Sequence, residues 1–123
     1  MAYELQVIHT VRMKTVQVAI QDIGYADSIR HLLLQDGGHR VRLVVTPDVT
    51  VGGVIVVDAV NLGSFPLLMN ERERLVVIVH KEPADLYKVW EAGMRHVVFH
   101  GDTPHTARVV VIAAELALPN NSG

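Results

Sequence analysis

Four polar side chains stand at the ends of short apolar runs in this chain. Asp22 follows Val16–Ile20, Asp58 closes Val54–Val57, His80 closes Leu75–Val79, and His100 follows His96–Phe99. Carboxylates supply hard oxygen ligands or nucleophiles, and imidazoles carry protons or bind metals near neutral pH. One chemistry open to them is a two-histidine, one-carboxylate set, Asp58, His80 and His100, of the kind that holds zinc or iron. No HxxxH or HxH spacing pre-organises that set. Each residue also has a plainer role. Asp58 at a strand end can bond backbone N–H groups of the next turn. Asp22 can cap a helix, and His80 and His100 can be packed or half-exposed loop residues.

The elements that must position these groups follow from the hydrophobic pattern. Val16–Ile20, Val41–Val45, Val54–Val57, Leu75–Val79 and His96–Phe99 are five short runs rich in β-branched residues. Near-continuous apolar runs predict strands buried on both faces, hence a parallel sheet covered by helices. Helical patterns lie between them. Tyr25–Gln35 places Ala26, Ile29, Leu32 and Leu33 on one face and ends at Gly37-Gly38, while Pro83–Ala92 has Leu86, Val89 and Trp90 as its apolar stripe. Thr103 caps a last helix with Pro104 in its first turn, and Pro119 bounds it. Only Thr46–Gly53 separates the second and third strands, too short for a helical crossover, so a turn or loop is expected there. Ser64–Asn70 permits about two helical turns before the fourth strand. The expectation is an α/β doubly wound sheet, in which ligands gather at the carboxyl ends of the strands where strand order reverses. All four polar residues fall at those ends.

Composition narrows the class. The chain has 123 residues, half of them apolar, enough for one domain with a sizeable core. A formal charge of −2 leaves no basic footprint for nucleic acid. There is no cysteine, which excludes disulfides and thiolate metal sites and fits a cytoplasmic protein. No apolar run approaches the roughly 20 residues of a membrane-spanning helix. Residues 1–13, where Tyr3, Leu5, Val7, His9 and Val11 alternate with mostly polar neighbours, read as an edge strand or as an arm that packs on another subunit. Residues 119–123 read as a frayed tail.

The order "VQVAIQD", "VIVVD", "LVVIVH" and "AGMRHVVFHG" resembles the receiver domain of bacterial response regulators, over residues 14–118. The resemblance implies a flavodoxin-like, five-stranded parallel sheet of order 2-1-3-4-5, here with a shortened second helix. It implies that Asp58 stands at the phosphoacceptor position and that Gln21 and Asp22 match the acid pair after the first strand. Ala92-Gly93 match the family's "AG" pair. His80 then stands where the family has threonine or serine, Val97 where it has the switch aromatic, and His100 where it has lysine. Phosphoryl transfer to an aspartate needs Mg²⁺ and a nearby cation to offset charge. Asp22 and Asp58 would supply two carboxylates to Mg²⁺, and the Val60 backbone carbonyl a third oxygen. Gln21 supplies only a neutral amide, and His100 is a shorter, partly charged replacement for lysine. Weak phosphorylation or none is therefore expected.

The leading expectation is a receiver-like module of two-component signalling that works through a histidine kinase or a downstream protein, not an enzyme. The alternative is a phosphorylation-independent interaction or dimerisation domain, for which a homodimer is an expected form. A metal-dependent enzyme or sensor built on Asp58, His80 and His100 is the third. A flavin-binding reading is weak, because Gln21–Tyr25 lacks a Ser/Thr/Gly-rich phosphate loop.

Overall fold

The computed structural model describes residues 13–119. The expected arm and tail fall, but for Met13 and Pro119, outside the described residues. Five strands form one parallel sheet: β1 (Lys14–Ala19), β2 (His39–Leu43), β3 (Val54–Asp58), β4 (Leu75–Val79) and β5 (His96–Phe99). Their spatial order is β2-β1-β3-β4-β5, as the resemblance implied. The helices are α1 (Ile23–Gln35), α2 (Ala59–Ser64), α3 (Pro83–Glu91) and α4 (Pro104–Ala117), with a 3-10 segment at Pro66–Arg74.

Strand residues alternate between two cores. Val16, Val18, Val54, Val56, Val76 and Val98 pack on α1 and α4 through Ile29, Leu33, Ala107 and Val111. Ala19, Ile55, Val57, Val77 and Val79 face the opposite layer, with Leu68 and Val89. The central strands β1, β3 and β4 are largely buried on both faces, which is why they read as continuous apolar runs, whereas β2 exposes Arg40 and Arg42.

The sequence boundaries shift in three places. β2 begins at His39, two residues before the expected run, because parallel pairing with β1 sets Lys14 beside His39. Helix begins at Ala59, immediately after β3, and not only at Ser64. The third difference is energetic. Of the expected stripe on α3 only Val89 is buried, at 8% exposure; Leu86 is 40% exposed and Trp90 83%.

No helix joins β2 to β3. The connecting loop is held by two buried polar side chains. The Gln17 amide accepts from the Asp48 N–H (2.7 Å) and donates to its carbonyl (2.9 Å). The Arg74 guanidinium donates to the carbonyls of Val49, Val51 and Gly53 and to Glu71 Oε1. Gly53 itself has φ +103°, and a Cβ there would sit 2.0 Å from the Thr15 carbonyl oxygen, so only glycine fits.

Candidate functional site

Asp58 ends β3 and is the N-cap of α2. Its Oδ1 accepts from the Asn61 N–H at 2.8 Å, the ordinary capping bond. Its Oδ2 accepts from the Gln21 N–H, also at 2.8 Å, across the β1–β3 boundary. Asn61 strengthens that crossing, since its Nδ2 donates to the Ala19 carbonyl at 2.6 Å. Asp22 caps α1, with Oδ1 accepting from the Tyr25 N–H at 3.0 Å. Both aspartates thus perform the plain backbone roles that their positions allow, and they do so while lining one cavity.

That cavity, of about 660 Å³, lies at the carboxyl rim of the sheet. Asp22, Asp58, His80 and His100 all line it, so the four sequence-singled residues do converge. β5 delivers His100 because the His100 N–H continues the ladder to the Val79 carbonyl at 2.7 Å. The imidazoles of His80 and His100 then stack, centroids 4.3 Å apart and planes 28° apart. Stacked rings set face against face, whereas joint ligation requires their nitrogens to converge on one point. Among the described residues no group of three or more His, Cys, Asp or Glu is arranged to hold a metal ion. Asp58, His80 and His100 do not form such a group.

Val60, the expected third oxygen for Mg²⁺, lies inside α2. Carbonyls there run along the helix axis toward its C-terminus, and this one accepts from Ser64 Oγ at 3.2 Å. Val97 packs half-buried against the β3–β4 core, as a core valine would.

Four lining residues escaped the sequence reading: Tyr25, Asp85, Lys88 and Asp102. Tyr25 donates its hydroxyl to the carbonyls of Asp102 (2.9 Å) and Thr103 (3.3 Å), tying α1 to the start of α4. Burial, then the carboxylates of Asp102 and Asp22, push its phenol above the ordinary value of 10.0. Asp102 Oδ2 accepts from the Phe99 N–H at 2.9 Å and closes the turn before the Thr103 cap. Asp85 and Lys88 come from α3, three residues apart and so on one helix face. That spacing is legible in the sequence, on the same helix as the apolar stripe.

No family model matches the chain, and no curated protein matches it in sequence. Among solved structures it resembles the crystal structure of a protein described as pilus assembly-related, from Burkholderia pseudomallei. The TM-score is 0.59 at 17% identity, over 88% of this chain and 93% of that one. The fold is flavodoxin-like. At this identity the likeness speaks of architecture alone. Among the described residues, no helix is long and apolar enough to cross a membrane.

Proposed function

We propose that this chain is a receiver-like protein-interaction domain in which Asp58 serves mainly as a structural aspartate, with phosphorylation weak or absent. One observation carries the reading: both Asp58 oxygens accept backbone N–H bonds that pin β1 to β3 and start α2. A carboxylate acting as nucleophile needs an oxygen free to approach phosphorus and cations to offset charge. Each Asp58 oxygen keeps a lone pair, so slow attack is not forbidden. Its helpers are poor, however. Gln21 is neutral, the Val60 carbonyl is tied to Ser64, and stacked imidazoles replace the hydroxyl and the lysine of the receiver pattern. Any Mg²⁺ would rest on Asp22 and Asp58 alone, and weakly.

Work by contact, not by catalysis, is the consequence, with a protein as partner. Incubation with acetyl phosphate and Mg²⁺ followed by intact mass tests the phosphorylation half of the proposal. An unmodified mass at saturating donor is expected. A stoichiometric phosphoryl adduct that disappears in Asp58→Asn would return the chain to the switching receivers and to a histidine-kinase partner.

A further inference from the structure

With no helix between β2 and β3, the described residues leave part of the sheet uncovered. Among the described residues β2 is an edge strand, bonded to β1 alone. His39 and Val41 point toward the α1–α4 layer, where His39 Nε2 meets the Glu115 carboxylate at 3.0 Å. Arg40 and Arg42 therefore point to the opposite face, beside Thr15 and Gln17 in register. The loop that replaces the helix covers Gln17 through Asp48, and both arginines of β2 are exposed. Among the described residues neither makes an ion pair, and no backbone bond beyond the β1 ladder involves Arg40, Val41 or Arg42. The nearby Asp48 carboxylate accepts from the Thr50 N–H (3.0 Å) and hydroxyl (2.6 Å), and the charges of Arg42 and Arg74 act on it from beyond ion-pair distance. Leu43 and Val45, at 39% and 86% exposure, extend the same edge.

We propose that β2 is a docking edge for an extended acidic segment of a partner protein, which adds a strand beside Arg40–Leu43. The main chain would satisfy the open edge, as in other strand-addition complexes. Carboxylates at alternate positions of the incoming strand would meet the two guanidinium groups, which repeat about every 7 Å along the strand. Charge selects this occupant over a second copy of the chain. Antiparallel pairing of two β2 edges would set arginines against arginines, and like charges opposed across strands destabilise the pair. Edge charges also guard against aggregation, and the experiment separates the two roles.

Full-length ¹⁵N-labelled protein is titrated with two synthetic peptides, one alternating valine with glutamate and one alternating valine with lysine. The expected result is saturable shifts confined to His39–Val45 with the glutamate peptide, at an affinity about tenfold above the lysine peptide. The double variant Arg40→Glu, Arg42→Glu reverses that preference while keeping the wild-type denaturation midpoint. Absent shifts, equal response to both peptides, or shifts centred on the Asp58 cavity would overturn the proposal. So would protection from hydrogen exchange, in the free protein, of the edge-facing amides of Val41 and Leu43, which alternate with those bonded to β1, since the chain's own residues or a second copy would then hold the edge. The site is remote in role from Asp58, so this test and the acetyl phosphate test fail independently.

Discussion

Asp58 bonds two backbone amides from different elements, and that fact separates its structural from its chemical value. Replacing it with alanine leaves the Gln21 and Asn61 N–H groups without their carboxylate and removes the cap of α2. A loss of about 2 kcal/mol in urea unfolding is expected. Asp58→Asn keeps one acceptor oxygen and costs less, although it abolishes any acyl phosphate. A residue kept for phosphorylation alone would show neither loss. At this scale the sequence was legible in part. It located Asp22, Asp58, His80 and His100 at one rim, and it allowed capping as the plain reading of the aspartates. It could not show that the second oxygen of Asp58 reaches Gln21, 37 residues earlier, because that bond exists only once β1 and β3 pair.

Among the elements, the β2–β3 loop and α3 depart most from a regular doubly wound sheet. Arg74 gives the loop three hydrogen bonds from a buried charge, all to backbone carbonyls, and a fourth to Glu71 of its own 3-10 segment. Arg74→Met keeps apolar bulk but leaves those acceptors poorly satisfied. It should lower stability by about 3 kcal/mol, and hydrogen exchange should show faster opening of residues 44–53 than of β4. Helix α3 behaves oppositely. It is anchored by Val89, while Trp90 and Tyr87 are 83% and 64% exposed. Trp90→Ala is accordingly expected to change stability by no more than about 0.5 kcal/mol, whereas Val89→Ala costs more. Equal losses in denaturant midpoints would mean that Trp90 is packed after all. The sequence showed an apolar stripe with helical period and implied burial. Periodicity reports which residues share a face, and says nothing about whether another element covers it.

For the molecule as a whole, pH dependence gives a test of how the layers close. His96 begins β5, and its Nε2 is buried without a hydrogen-bond partner. Burial, then the neighbouring Arg95, push its imidazole below the ordinary 6.5. The unfolded chain therefore binds the proton more readily than the folded one. Stability is fully present above about pH 6.5 and falls as pH drops through that value toward the lower folded pKa. Urea midpoints at neutral and mildly acidic pH should show this decline, and His96→Gln should flatten it. A slope unchanged in the variant would assign the decline to other histidines.

The run of β-branched segments and polar turns was enough to specify five strands, a second crossover too short for a full helix, and four polar residues at the strands' carboxyl ends, but not that β2 would lie largely exposed. Burial on both faces is written locally, residue by residue, so it can be read from a linear string. The tertiary structure alone decided that Asp58 is bound by two amides, that two histidines stack, and that Gln17 and Arg74 hold the loop. It also decided that removing a helix bares Arg40 and Arg42. Each of these depends on which distant segments become neighbours, and hydrogen-bond geometry is determined only by that meeting.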